Sequence, residues 1–347
     1  RLYALSWKNR PPEPTMTTRE TARPAFPSPL SRRDLLALGA GAAGVALTAA
    51  PPERVHAAGR PVIVTTTAHV ADLVRAVTGD GPDVQALLGE GIDPHSYKLT
   101  RNDTARLMAA DAVFYNGLLL EGKMTDALVR VAGSGKPVHA ISEFIPEEKL
   151  LSPPEFEGQY DPHVWMDVSL WRTALDGLMT RLSALYPDWA AVFTAQAQAH
   201  GSRLDALHSY AGTILSSVPA DRRVLVTAHD AFGYLGRAYG VEVVGIQGLS
   251  TESEAGLRRV EELVAMLVDR KIPAVFVETS VTDRNIRALV EGAAARGHTV
   301  AIGGSLFSDA MGTPGTREGT YVGMMDHNVS TIARALGGTV PSGGFGT

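Results

Sequence analysis

The longest helix-favouring stretch of this sequence lies near its middle and constrains the fold more than any other feature. The segment "PDWAAVFTAQAQAHGSRLDALHSYAGTILSSV", Pro187–Val218, is rich in alanine, and Pro187 suits the first turn of a helix. A helix of roughly 30 residues would be about 45 Å long. Gly201 inside it would lower the stability of the helix by on the order of 1 kcal/mol. One α/β lobe needs no such helix to cover its sheet. The segment therefore predicts a linking helix between two lobes.

The sequence on both sides of this segment alternates short β-branched runs with stretches of helical periodicity. This rhythm predicts an α/β fold with two (β/α) lobes, each built on a parallel sheet that is covered on both faces. We expect the first lobe at residues 59–186, the linking helix at 187–218 and the second lobe at 219–347. The predicted strands are, in chain order, "PVIVTTT", "DVQALLG", "AVFYNG", "PVHAIS", "RRVLVTAHD", "VEVVGIQG", "PAVFVETS" and "HTVAIGG", and "YVGMMDHNVSTIARALGG" predicts a final helix.

Residues 1–58 have the pattern of an export signal and not of a folded domain. Arg32 and Arg33 precede an apolar run, Leu35–Ala50, and the small-residue segment Val55–Ala57 offers a cleavage site. The stretch "SRRDLL" resembles a twin-arginine signal. The apolar run is short for a membrane span. We therefore expect the protein to be exported to the periplasm or cell exterior and residues 1–58 to be removed. The alternative is that this segment is retained as an N-terminal anchor.

Composition excludes several classes of function. The formal charge of −5 gives no basic surplus, and no motif typical of RNA or DNA recognition is present, so no nucleic-acid partner is expected. The sequence contains no cysteine, which excludes disulfides and thiolate metal ligands and predicts no lipid-modified cysteine anchor.

Two Asp-Pro-His triplets place histidines in the same unusual local setting. His95 lies in "GIDPHSYKLT" and His163 in "YDPHVWMD". Proline restricts its own backbone and that of the preceding aspartate, so each histidine leaves a stiff turn at a defined angle. Asp93 and Asp161 are candidates to accept a hydrogen bond from an imidazole N–H.

Two further candidates follow predicted strands of the second lobe. His229 ends the strand "VLVTAH" and Asp309 lies just after "HTVAIGG". Ligands of parallel sheets bind beyond the carboxyl ends of the strands, where these residues are expected. Three imidazoles and one carboxylate complete the coordination of a divalent transition metal and leave no evident open position. This set favours metal capture over catalysis.

An enzymatic alternative stays open on spacing alone. A zinc-dependent hydrolase could use the same four residues with Glu278 or Asp230 as general base, although Glu278 ends a strand and Asp230 is placed to steer His229. Structural or surface roles are expected for the other histidines, with His200 and His208 on a solvated helix face and His327 on the surface. Trp165 and Tyr97 are expected to pack the loops.

A set of motifs covering residues 60–338 resembles, in the same order, the zinc/manganese substrate-binding proteins of bacterial ABC importers. The matching stretches are "GIDPHSYKLT", "NGLLLEGKM", "YDPHVWMD", "VTAHDAFGYLGRAYG", "QGLSTESEAG", "FVETSV" and "SLFSDAMG…GTYVGMMDHN". The resemblance implies two lobes joined by a rigid helix, with one metal in the cleft between them. It implies His95 and His163 as ligands from the first lobe and His229 and Asp309 from the second.

The same resemblance implies an exported monomer that delivers metal to a membrane permease and changes shape little on binding. A metal-binding surface adhesin of the same fold is the remaining alternative. The sequence falls between the zinc and manganese patterns. The segment Gly117–Glu143 has only His139 where zinc members often carry a histidine-rich loop, whereas manganese members often have Glu at the place of His229. Leu119 stands where relatives can have His, so no auxiliary site is expected there. Three imidazoles favour Zn²⁺ as cargo over Mn²⁺.

Overall fold

The computed structural model describes residues 59–156 and 158–346. The predicted export signal, residues 1–58, lies outside this range. Within the described residues, none of the helices combines the length and apolar character needed to cross a membrane.

A four-stranded parallel sheet forms the first half of the fold. Its strand order is β2-β1-β3-β4, with Ile63 of β1 in register with Val84 of β2 on one side and Ala112 of β3 on the other. The strands are β1 (Val62–Thr65), β2 (Asp83–Ala86), β3 (Ala112–Tyr115) and β4 (Val138–Ala140), and the helices are α1 (Ala68–Thr78), α2 (Arg101–Ala109) and α3 (Thr125–Gly133).

Both faces of this sheet are buried, as predicted. Successive side chains of a strand point to opposite faces. Ile63 therefore lies in the main core of the protein, whereas its neighbour Val64 packs in a second cluster with Leu107 of α2 and Leu128 of α3. The β-branched character of the strands suits this doubly covered arrangement.

The second half repeats the strand order of the first. β5 pairs with β6 and β7 pairs with β8, each pair parallel, in two two-stranded sheets. β5 lies beside β7, so the spatial order is β6-β5-β7-β8. The elements are β5 (Val224–Thr227), α6 (Gly233–Tyr239), β6 (Glu242–Gly245), α7 (Leu257–Asp269), β7 (Ala274–Glu278), α8 (Arg284–Ala295), β8 (Ala301–Leu306) and the final helix α9 (Tyr321–Leu336).

The predicted linking helix is present and slightly shorter than expected. A 3₁₀ turn at Pro187–Trp189 leads into α5 (Ala190–Ser216), which has 27 residues and is about 40 Å long. It contacts α1 and α4 (Val168–Leu185) from the first half and α6 and α9 from the second. This helix therefore supports both halves, whereas the exact lobe boundaries at 186 and 218 stay predictions.

Close packing explains the glycine inside α5. A β-carbon at Gly201 would lie 2.5 Å from Nε of Arg172 on the adjacent helix α4. The close approach of these two helices offsets the intrinsic cost of a glycine in a helix interior.

The expectation that His200 and His208 lie on a solvated face is wrong. Both are half-buried, because neighbouring elements cover this side of α5. Nδ1 of His208 lies 3.1 Å from the hydroxyl of Tyr239. Burial, followed by the nearby charges of Arg203 and Arg172, lowers the pKa of His200 to about 4. His327 is also half-buried instead of lying on the surface.

Candidate metal centre

Four side chains from distant parts of the sequence meet at one buried point. One nitrogen from each of His95, His163 and His229 and one oxygen of Asp309 lie within 4.8 Å of one another. Nε2 of His163 is 3.3 Å from Oδ1 of Asp309, and Nε2 of His229 is 3.2 Å from Oδ2. Nε2 of His95 is farther from Oδ2, at 3.8 Å. The structure thus brings together all four residues that the sequence predicted.

The parallel sheets explain this convergence. His95 lies in the loop after β2, His229 follows β5 by two residues, and Asp309 follows β8 by three. His163 precedes the 3₁₀ turn Val164–Met166, which leads into α4. Because all strands of a parallel sheet end at the same edge, loops from this edge of each half face a common space.

Asp161 fixes the ring of His163, as the Asp-Pro-His motif predicted. Its Oδ1 accepts hydrogen bonds from Nδ1–H of His163 at 2.7 Å and from the backbone N–H of the same residue at 2.9 Å. Since Nδ1 is engaged by Asp161, Nε2 is the ring nitrogen that faces Asp309 and can bind a metal. A carboxylate behind a histidine in this way sets its tautomer and raises its basicity as a ligand.

Glu278 performs the same task for His229, and the expectation that Asp230 steers this ring is wrong. Oε2 of Glu278 accepts from Nδ1–H of His229 at 2.6 Å, and Oε1 accepts from its backbone N–H at 2.9 Å. Glu278 ends β7, beside β5, so the sheet itself places the two residues together. Both oxygens are engaged, which suits a positioning role better than that of the general base in the hydrolase alternative.

The hydrogen bonds of Asp93 go to groups other than an imidazole N–H, contrary to the expectation from its motif. Its Oδ1 accepts from the backbone N–H of His95 at 2.8 Å. Its Oδ2 accepts from the hydroxyls of Ser96 at 2.8 Å and Thr251 at 2.6 Å. Asp93 therefore braces the loop that carries His95 and not the ring.

A buried turn after β3 supports the loop of His163, a role that its sequence motif does not by itself indicate. The side-chain amide of Asn116 donates to the carbonyl of Pro162 at 2.9 Å. Glu121 holds this turn by accepting from the backbone N–H of Asn116 and from the hydroxyl of Thr66, both at 2.7 Å. The motif "NGLLLEGKM" thus contributes to the site through its first and sixth residues.

Trp165 packs beside the site, as expected for a loop-packing residue. It is buried between His163, whose ring centroid lies 5.3 Å away, and His69, which stacks on it at 4.8 Å. Its Nε1–H donates to the carbonyl of Ser308 at 3.1 Å. The indole therefore ties the loop of His163 to the loop of Asp309.

The four ligand candidates form a tightly coupled electrostatic group. Burial alone would raise the pKa of Asp309, but the adjacent His229, His163 and His95 lower it well below its usual value. Burial works against charge on His163 too, yet Asp161 and Asp309 raise its pKa to about 9. Burial dominates at His95 and lowers its pKa to about 4. A divalent cation that enters must therefore replace protons held by this group.

The distances between the candidate ligand atoms can be compared with those that a bound divalent metal requires. Bonds of about 2.0–2.1 Å from zinc to nitrogen and oxygen place tetrahedral ligands roughly 3.3 Å apart. The distances from Asp309 oxygens to His163 and His229 are close to this value, at 3.3 and 3.2 Å, whereas the distance to His95 is longer, at 3.8 Å.

Comparison with known proteins assigns the family. The profile described as ZnuA, zinc-uptake complex component A, periplasmic, matches residues 63–335. This chain belongs to the ZnuA family.

Two characterised relatives are similar over most of their length. The chain is 47% identical to the manganese-binding lipoprotein MntA of Bacillus subtilis (strain 168) over 275 residues, which is 79% of this chain and 89% of MntA. It is 48% identical to the zinc-binding protein TroA of Treponema pallidum (strain Nichols) over 278 residues, 80% of this chain and 89% of TroA.

The fold agrees with that of a solved ZnuA-family structure. The periplasmic zinc-binding protein TroA from Treponema pallidum superposes with a TM-score of 0.78 at 47% identity, covering 80% of this chain and 99% of that one. The family and the two-lobed α/β fold expected from the motifs are therefore confirmed.

The contact between Glu278 and His229 leads to a first prediction. In Glu278→Gln only one side-chain oxygen remains, so the amide –NH₂ faces one of the two N–H donors of His229. We expect Zn²⁺ affinity, measured by calorimetry, to fall by about 10- to 100-fold. Glu242→Gln, which removes an exposed carboxylate paired with Arg270, is the matched control. Unchanged affinity in Glu278→Gln would contradict the positioning role.

Proposed function

We propose that this chain is the exported solute-binding component of an ABC importer, which captures Zn²⁺ or Mn²⁺ and delivers it to a membrane permease. The observation that carries the proposal is the convergence of His95, His163, His229 and Asp309 within 4.8 Å in the protein interior. Two of these ligands come from each half of the chain, so a bound ion is enclosed by both. Relatives of this chain are named as metal ABC transporter substrate-binding proteins, which supports the transport role.

The donor set supports Zn²⁺ as the ion bound more tightly. Neutral imidazoles suit zinc, and the general affinity order of divalent metals places Zn²⁺ above Mn²⁺. Sequence similarity does not discriminate between them, because a relative named for manganese and one named for zinc are equally close, at 47% and 48% identity. Mn²⁺ is the cargo if its availability outweighs the difference in affinity.

The number of protein ligands supports metal capture rather than catalysis. Catalytic zinc sites keep a coordination position for water beside a free base. Here four protein ligands face one point, and Glu278 is engaged by His229. We propose that the protein acts as a monomer, because one chain supplies the complete set.

The ligand assignment predicts the behaviour of His163→Ala. Loss of this imidazole removes a ligand and leaves Asp309 with one close histidine instead of two, so we expect affinity for Zn²⁺ to fall by at least about 100-fold, more than for loss of an outer partner. Titration calorimetry with Zn²⁺ and with Mn²⁺ on the parent protein is expected to show one site and tighter binding of Zn²⁺.

The control for that experiment is a histidine outside the cluster. His298 bonds through Nε2 to the carbonyl of Ile272 at 2.8 Å, and His298→Ala is expected to bind metal as the parent does. Parent-like affinity in His163→Ala would end the assignment of this site.

We also propose that export uses the twin-arginine route. The support is the paired arginines in "SRRDLL" ahead of a short apolar run. MntA is named a lipoprotein, whereas the sequence of this chain contains no cysteine. Replacing Arg32 and Arg33 with lysine is expected to block export, measured by fractionating cells, with a matched lysine replacement at Arg60 as control. Normal export of the double variant would indicate the general secretory route instead.

A further inference from the structure

A segment that follows the last helix folds back onto the protein. It comprises residues 337–346 and lies beyond residues 63–335, the part of the chain that the family profile matches. Near its start, the backbone N–H of Thr339 donates to the hydroxyl of Ser217, directly after α5, at 2.8 Å. The segment is therefore attached to the end of the linking helix before it turns back along α9.

The far end of this segment is fixed by Phe345. Its ring is partly buried against the main core and packs beside the ring of Tyr210 on α5, with a centroid distance of 5.4 Å. Its backbone N–H donates to Oδ1 of Asp326 on α9 at 3.0 Å. Gly344 permits this approach, because its φ of 70° is left-handed and a β-carbon there would lie 2.6 Å from Oδ2 of Asp326. Phe345 thus bridges α5 and α9.

Arg317 joins the same contact from the loop that carries Asp309. This loop connects β8 to α9, and Arg317 lies near its end. Nη2 of Arg317 donates to Oδ2 of Asp326 at 2.5 Å and to the backbone carbonyl of Phe345 at 2.9 Å. The side chain of Asp326 is only 5% exposed, so its charge depends on such partners. Arg317, Asp326 and Phe345 therefore bond one another in a closed ring of contacts, the clasp.

The clasp reaches Asp309 through the two limbs of the loop. The backbone N–H of Gly312, in the first limb, donates to the carbonyl of Glu318, in the second, at 2.9 Å. The limbs are so close that a β-carbon at Gly312 would lie 2.7 Å from that of Glu318. Asp309 precedes Gly312 in the first limb, and Arg317 adjoins Glu318 in the second. The position of the second limb therefore constrains the limb that carries the ligand.

The carboxylate of Asp309 depends on its backbone for support. Within the described part of the chain, its two oxygens have no hydrogen-bond partner besides the imidazoles of the metal centre. Upstream, Asn328 of α9 holds the backbone N–H and carbonyl of Phe307 at 2.9 and 2.7 Å. Downstream, the clasp supplies the corresponding support.

We propose that the clasp positions the ligand Asp309, so that residues 337–346 contribute to metal binding without touching the metal. This inference rests on the proposed function and adds positioning residues outside the metal centre. While the clasp is closed, the second limb holds the first limb and keeps the carboxylate facing the imidazoles. When the clasp is broken, the carboxylate has more positions available to it, and Zn²⁺ is bound less tightly.

The first test is the Zn²⁺ affinity of Arg317→Gln, measured on the full chain by competition with a chromogenic chelator well below the unfolding temperature. We expect affinity to fall by about three- to tenfold, less than the 10- to 100-fold typical of a partner that touches a ligand directly. Arg287→Gln removes an exposed arginine paired with Asp283 and is the matched control, expected to bind as the parent does. Parent-like affinity in Arg317→Gln would overturn the inference.

A second variant tests the segment itself. Phe345→Ala removes the ring from Tyr210 and leaves the backbone groups of the clasp less firmly placed, so we expect lower Zn²⁺ affinity, as in Arg317→Gln. Phe345→Tyr keeps the ring and is expected to bind as the parent does. If Phe345→Ala also binds as the parent does, the segment has no part in metal binding.

A double-mutant cycle separates positioning of Asp309 from a general effect on the fold. Asp309→Ala retains three imidazoles and is expected to bind Zn²⁺ weakly but measurably. Adding Arg317→Gln to Asp309→Ala is expected to change the affinity no further, because the carboxylate that the clasp positions is already absent. A further loss as large as that in the parent background would show that Arg317 acts by another route and would contradict the proposal.

The outcomes distinguish this inference from the function on which it rests. If the parent protein binds no Zn²⁺, the proposed function fails. If the parent binds Zn²⁺ tightly and both Arg317→Gln and Phe345→Ala bind it equally tightly, the function stands and the clasp does not position Asp309.

Discussion

The buried carboxylate of Asp309, surrounded by three imidazoles, is the interaction on which the rest of the structure depends. An isolated charge in the protein interior costs several kcal/mol, and this cost is offset only by close partners. Here Nε2 of His163 and of His229 lie 3.3 and 3.2 Å from its two oxygens. Asp161 and Glu278 add negative charge behind those rings. Three carboxylates around one point favour a divalent cation.

Such a site requires a scaffold that holds the two halves of the chain in a fixed position relative to each other. The helix α5 packs against helices of both halves, and its glycine at position 201 allows α4 to lie close beside it. Loops that follow the carboxyl ends of parallel strands in the two halves bring the ligand candidates to one point. Rigid elements therefore supply His229, Asp309 and Glu278, whereas the loop of His95 is held by a few bonds near the surface.

Local sequence patterns predict the strands and the long helix, whereas the set of four candidate ligands follows from the loop positions together with the family resemblance. β-branched runs predict strands wherever both faces are buried, and each Asp-Pro-His motif carries its own stiff turn. Contacts between distant residues were not accessible in the same way. Glu278 lies 49 residues from His229, and Thr251 lies 158 residues from Asp93. Periodicity within α5 does not reveal that neighbouring elements cover the faces on which His200 and His208 lie.

The central claim is that one ion is bound by three imidazoles and one carboxylate. X-ray absorption at the zinc edge of the loaded protein tests this directly, because multiple scattering from imidazole rings counts the histidines. The account predicts three imidazole nitrogens and one carboxylate at about 2.0–2.1 Å. A first shell dominated by water oxygens, with one imidazole or none, would contradict it.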